Sequence, residues 1–233
     1  LGAPPDCDCR IVRGGVRCVE GFSRGCPMNE TVKKRLLAAA VALAAGAGGI
    51  ATQQAANAPK PSPAVVLAWE IGAHYESGGR HIGKPYVDKI GKGQPWTVCH
   101  GVTGKEVDPK RYYTPEDCRR LELPKYLEAE RIAKASLKHW GEYNVWVQAS
   151  FIDVAYNVPS ALAAGTGMAR LANAGDLAGA CLQMPRWVLG TVNGQKLPQP
   201  GLIDRRETTR ELCAEWGRTG HFSEGLLAQG ARP

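Results

Sequence analysis

The sequence predicts an α+β fold, mostly helical, with a small lobe built on a β-hairpin beside a larger helical lobe. Three observations predict it. Residues 84–89 and 94–100 are short segments rich in Tyr, Val, Trp and Thr, and Gly91-Lys92-Gly93 lies between them, which is hairpin composition. On both sides of that hairpin, apolar residues recur at helical spacing and helix-start signals precede them. A hydrophobic content of 44% over 233 residues is enough for one packed domain with appendages.

Residues 1–27 differ from all that follows. They hold four of the eight cysteines (Cys7, Cys9, Cys18, Cys26) and little apolar periodicity. Their C-x-C pair and longer gaps match no common zinc spacing, so the stretch reads as an upstream extension without a metal, disordered in or absent from the working protein. From Met28, the basic Lys33-Lys34-Arg35 precedes residues 36–51, an uncharged run of eight Ala, three Gly and five larger aliphatics. A stable membrane span wants about 20 predominantly apolar residues, so this run enters a bilayer only marginally. Two readings stand: a cleaved signal peptide, with Ala-x-Ala sites near residues 51–58, or a weak signal-anchor over residues 28–58. Residues 59–63 close a polar, Pro-rich linker.

The folded domain is expected over residues 64–216. Residues 64–76 form a helix that Ser77-Gly78-Gly79 stops. Thr114 caps and Pro115 begins the next helix; Pro124 is expected to interrupt it, with residues 125–139 continuing as a charged amphipathic helix. Residues 145–157 are apolar almost all round, which marks the buried central helix of the larger lobe. Residues 161–173 and 176–184 read as two shorter helices parted by Gly175. A Gly/Pro-rich loop follows Arg186-Trp187-Val188, residues 202–216 make the last helix, and residues 217–233 are a tail.

The chemistry gathers around the hairpin. Glu76 ends its helix, Asp88 lies on the first ribbon segment and Thr97 on the second. Cleaving an acetal needs one carboxylic acid that keeps its proton and one carboxylate that stays charged. The negative end of a helix dipole disfavours an ionised Glu76, whereas Asp88 in a ribbon open to solvent stays charged more readily. Thr97 is placed to orient Asp88 or a water. Glu70, on the same helix as Glu76, is the rival acid.

Taken together, Glu76, Tyr86, Asp88, Gly91, Thr97, Gly101 and Thr103 resemble the catalytic segment of the phage lysozymes (endolysins) of glycoside hydrolase family 24. Later landmarks follow in order: Phe151, Tyr156-Asn157, Arg170-Leu171, Asn173, Gly175, Arg186-Trp187 and Pro200-Gly201-Leu202 with Arg205-Arg206. The resemblance departs in two places near the site: Asp88 falls 12 residues after Glu76 and Thr97 nine after Asp88, both longer than usual, and Val102 stands where a histidine is common. Val158-Pro159 also replaces the usual glycine after Asn157. The resemblance implies a lysozyme-like fold and a muramidase that cleaves the β-1,4 bond of peptidoglycan. Glu76, Asp88 and Thr97 would be catalytic, Tyr86, Asn157, Arg170 and Trp187 would bind substrate, and Arg205 or Arg206 would brace Glu76. It implies no cofactor and no metal, and a monomer. It also favours the anchor reading of residues 36–51, a signal-arrest-release segment holding the enzyme in the host inner membrane until holin action frees it into the periplasm.

A formal charge of +7 draws the chain toward anionic polymers, wall or nucleic acid alike, but no helix-turn-helix, RNA-binding or zinc-finger pattern is present. Outside the extension, Cys99, Cys118, Cys181 and Cys213 allow three pairings. Position along the chain favours Cys99–Cys118 and Cys181–Cys213, formed in an oxidising compartment; four buried free thiols are the alternative. Two other functions are weighed: a lytic transglycosylase acting on the same bond, which the Asp88–Thr97 combination disfavours, and a non-catalytic, membrane-tethered wall-binding module, which retention of both carboxyls disfavours.

Overall fold

The structure, a computed structural model, describes residues 9–12, 15–18, 29–44, 60–88, 93–192 and 195–216. The expectations for the rest of the N-terminal extension, the beginning of the linker, the second half of the 36–51 segment and the 217–233 tail lie outside the described residues. Two strands that the sequence reading did not anticipate, β1 (Cys9–Val12) and β2 (Gly15–Cys18), pair antiparallel with Cys9 opposite Cys18.

Helix α1 (Glu30–Ala44) begins in the basic flank and runs into the Ala-rich segment. It lies along α2 (Pro63–Ser77), burying Val32, Leu36 and Ala40, which recur every four residues on one face. Arg35 Nη1 donates to the Gly79 carbonyl at 3.1 Å. Among the described residues no helix is long and apolar enough to cross a membrane.

The start of α2 is fixed by Ser62, whose Oγ accepts from Val65 N, and by Pro63 in the first turn; its end is fixed by Gly78 at φ 63°, a left-handed position glycine adopts without strain. The small lobe then forms as β3 (Tyr86–Val87), β4 (Trp96–Val98) and β5 (Val102–Thr103), antiparallel in the order β3-β4-β5. Its strands are shorter than expected, and β5 extends the hairpin to three strands. Beneath it Val98, Cys99, Val102, Val107, Tyr113 and Cys118 make a satellite core.

Helix α3 (Pro115–Ser136) has the expected Thr114 cap, completed by Asp117 as a reciprocal capping box. The expected break at Pro124 is absent: α3 is one helix of 22 residues. Pro124 is exposed, while Glu122, Tyr126 and Ala129 bury the opposite side, so side-chain packing holds the ladder across the hydrogen bond that proline cannot make. Helix α4 (Val145–Asn157), capped by Asn144, runs through the centre of the larger lobe as expected. Trp146, Phe151 and Ile152 are at most 1% exposed there, and each such side chain contributes about 1.5–3 kcal/mol by leaving water.

The remainder is more broken than expected. Residues 161–173 do not form one helix: a 3₁₀ turn (Pro159–Leu162) is followed by α5 (Gly167–Asn173), whose cap is Thr166. α6 (Leu177–Cys181) is capped by Asp176 and leads to a 3₁₀ turn at Met184–Arg186. The expected Gly/Pro loop is a ribbon of β6 (Leu189–Val192) and β7 (Gln195–Pro198). α7 (Pro200–Glu211) continues into a π-helical turn, Leu212–Trp216, and Trp216 meets Trp146 edge-on at 5.0 Å. Disulfides join Cys99 to Cys118 and Cys181 to Cys213. The first ties the end of β4 to α3; the second ties α6 to the end of α7.

Candidate active site

Glu76 projects from the last turn of α2, its side chain about one third exposed at 34%. Arg205, on α7, donates Nη1 to Glu76 Oε1 at 2.7 Å. The rest of that guanidinium is committed to Asp153 of α4: Nε lies 3.0 and 3.2 Å from the two carboxylate oxygens and Nη2 2.8 Å from Oδ1. Arg206 reaches the same aspartate through Nη2 at 3.2 Å. Asp153 and both arginines are at most 1% exposed. Of the two arginines expected to brace Glu76, Arg205 is the one that does. Burial opposes the charge of Arg205, but Asp153 and Glu76 hold its proton more firmly than usual. The one carboxylate beside Arg206 is the shared Asp153, and burial and its neighbour Arg205 push its pKa down.

The turn between β4 and β5 closes on the acid. Gly101 there has φ 85°, and a Cβ at that position would lie 3.9 Å from Glu76 Oε2. The turn is pinned from α3: Glu122 Oε1 accepts from the His100 backbone N–H at 2.8 Å and contacts the ring Nδ1 at 2.9 Å, while Trp69 Nε1 donates to Glu122 Oε2. Burial would raise the Glu122 carboxyl, but the hydrogen bonds from His100 outweigh it and hold its pKa below the ordinary value.

The ribbon brings Asp88 and Thr97 to neighbouring strands. The Asp88 backbone N–H and the Thr97 Oγ1 both donate to the Pro95 carbonyl, at 3.0 and 3.3 Å. Asp88 is half-buried and Thr97 is buried, opposite Tyr86 on one side and Thr103 on the other. Tyr86 is exposed and free to meet a ligand. Between α3 and the end of α4 lies a hollow of about 520 Å³, lined by Pro124, Lys125, Ala129, Tyr156, Asn157 and Pro159 among others. Asn157, expected to bind substrate, therefore faces this hollow and accepts from Arg206 at 3.4 Å. Arg170 lies exposed on α5 and Trp187 packs against the main core, and neither is joined to Glu76 by a hydrogen bond or ion pair.

Several groups at the site had no role assigned to them from the sequence. Tyr156 stacks on Tyr126 with ring centroids 4.1 Å apart, and Arg205 sits over it at 5.6 Å. Burial, and then the Glu76 charge, push the Tyr156 phenol up. Gly72 makes room for this stack: a Cβ there would collide with Tyr126 Oη. Asp153 had a signal that went unused, since a lone acid in an all-apolar helix must find a buried partner. The rival Glu70 has its carboxyl raised by burial, opposed by Arg119, Arg35 and His100. That shift alone would suit an acid, but the charges acting on Glu70 come from Arg119 of α3, Arg35 of α1 and His100 of the ribbon turn. Glu76 has the ribbon turn against it and an arginine beneath it, and geometry favours Glu76.

A family profile described as phage lysozyme matches residues 79–209. A SAR-endolysin of Enterobacteria phage P21 is 32% identical over 179 residues, spanning 77% of this chain and 95% of that protein. A SAR-endolysin of Bacteriophage PS119 is 33% identical over 135 residues, 58% of this chain and 75% of its own length. Among solved structures, the active form of P1 phage endolysin Lyz superimposes with a TM-score of 0.54 at 20% identity, over 79% of this chain and 97% of that one. An endolysin from Escherichia coli O157:H7 phage FAHEc1 does so with 0.54 at 19% identity, over 64% and 90%.

Proposed function

The chain belongs to the phage lysozyme family and is a peptidoglycan hydrolase of the endolysin type, and we propose that Glu76 is its general acid, with Asp88 as the companion carboxylate and Thr97 positioning the attack. The bond is the β-1,4 linkage between N-acetylmuramic acid and N-acetylglucosamine. Glu76 protonates the leaving oxygen; Asp88, in the ribbon, stabilises positive charge on the sugar or steers water; the Thr97 hydroxyl, on the neighbouring strand, orients that water. The observation supporting this is the seat of Glu76, held by Arg205 from one side and faced by the Gly101 turn from the other. Tyr86 and the hollow beside Asn157 would grip the glycan, with Arg170 and Trp187 meeting it farther along.

Glu76→Gln should lose roughly 10²–10⁴-fold in turnover while still folding, because the isostere keeps the packing. Glu70→Gln should stay close to wild type. A dead Glu70→Gln beside an active Glu76→Gln would sink the assignment. Mass spectrometry of the digested wall should show reducing muramic acid ends. Anhydro-muramic ends would indicate a transglycosylase, and no products a binding module.

Residues 36–51 are proposed as a releasable anchor in the host inner membrane, freed into the periplasm when holin action collapses the membrane potential. Marginal hydrophobicity and the SAR-endolysin relatives support this. Helix α1 gives the first part of that segment a second resting place, since Val32, Leu36 and Ala40 find an apolar seat on α2 without lipid. The periplasm also supplies the oxidising conditions that the two disulfides require.

A further inference from the structure

Arg205 presents a physical difficulty. A guanidinium 2.7 Å from a carboxyl favours its ionised form, yet a general acid must carry a proton when substrate arrives. We infer that Asp153 and Arg206, neither of which contacts Glu76, act as an opposed pair of positioning residues that set the pH range in which Glu76 works as an acid. The inference rests on the assignment of Glu76 as that acid.

The charges can be counted because three of the four groups are closed to solvent and only Glu76 reaches it. Asp153 is 0% exposed, Arg206 0% and Arg205 1%. With Glu76 ionised, two arginines and two carboxylates cancel. With Glu76 protonated, the cluster carries one net positive charge, which a buried site tolerates poorly. Asp153 limits that penalty: it takes three contacts from Arg205 and one from Arg206, leaving Arg205 a single nitrogen for Glu76. Arg206 works in the opposite direction. Its Nε and Nη1 are buried with no hydrogen-bond partner, and its remaining nitrogen is shared between Asp153 and Asn157. Its charge is the one the cluster compensates least.

The other titratable groups facing the cluster leave this count unchanged. Tyr75 of α2 is pushed up to about 12 by burial, and Tyr126 of α3 and Tyr156 of α4 are raised by burial too, so all three phenols stay neutral in the working range. Asp204 of α7 acts on Tyr75, and Glu122 of α3 acts on Tyr126 and Tyr156, both from outside the Arg205–Asp153 contacts.

Opposed roles give opposed predictions. In the full chain, kcat/KM on purified sacculi is measured against pH at constant ionic strength. The alkaline limb of that profile reports loss of the acid's proton. Asp153→Asn should move this limb about one pH unit toward acid, as one carboxylate fewer leaves both arginines acting on Glu76. Arg206→Met should move it about as far toward alkali, and should fold, because it removes a guanidinium with two unmade hydrogen bonds. The acid limb, which belongs to the companion carboxylate, should stay in place in both. Circular dichroism and thermal melts are run first; Arg206→Met keeps the test decisive if Asp153→Asn does not fold. An unmoved alkaline limb, two shifts of the same sign, or an Arg206→Met protein that cannot fold would overturn the inference. Full turnover by Glu76→Gln, assayed alongside, would instead refute the assignment of the acid.

Discussion

At the residue scale, the side chains that shape the site differ in how they answer to pH. Glu122 is the clearest. Its carboxyl is buried at 3% exposure yet held below its ordinary pKa by His100. A depressed folded pKa stabilises the native state above the unfolded value, near 4.5, and that stability is lost as pH falls through the folded value. Thermal melts taken between about pH 6 and pH 3 should therefore show a decline that Glu122→Gln reduces. The same variant should already melt lower at neutral pH, since His100 and Trp69 lose a charged acceptor at the turn that faces Glu76. A variant with the parent's acid profile would mean that other carboxylates carry the effect.

At the element scale, local signals that depend on a few consecutive residues were legible in the sequence. Thr114-Pro115 gave the start of α3, Ser77-Gly78-Gly79 the end of α2, and the apolar run of residues 145–157 gave the central helix. Where tertiary packing overrides a local rule, the sequence misled. Pro124 reads as a break, but the buried face of α3 carries the helix past it. The β6–β7 ribbon hides in a Gly/Pro-rich stretch because Gln195, Lys196 and Leu197 of β7 are all exposed and show no alternating burial. Glu76, Asp88 and Thr97 were nominated by residue type and by the resemblance, but the Asp153–Arg205 pair joins residues 52 positions apart and needed the fold. Helix capping offers a direct check. Thr114→Ala removes one half of the capping box and should lower stability by about 1 kcal/mol without changing turnover per folded molecule. A drop in specific activity at a temperature well below the melt would show that the start of α3 also shapes the site.

At the scale of the whole molecule, a net charge of +7 favours anionic polymers, and the anchor proposed over residues 36–51 can be tested through its weak hydrophobicity. Replacing Gly46, Gly48 and Gly49 by Leu should favour membrane insertion by about 1 kcal/mol or more in total. Fractionation of host cells should then find the variant retained in the inner membrane after the membrane potential collapses, with lysis delayed. Wild-type protein already cleaved and soluble before lysis would make the segment an ordinary signal peptide instead.

Helix α3 has a mechanical consequence. Its first half serves the small lobe through Cys118 and Glu122, and its second half serves the large lobe through Tyr126, Ala129 and Ala133. It therefore works as a beam between two jaws, one carrying Asp88 and Thr97 and the other carrying Arg205. Any widening of the gap to admit a strand of a cross-linked meshwork must flex this beam or shear the jaws along it. Pro124, which removes one rung of the ladder, stands between the two halves, and it lines the hollow itself. A polymer segment seated in that hollow would lie against the place where α3 lacks a rung of its ladder.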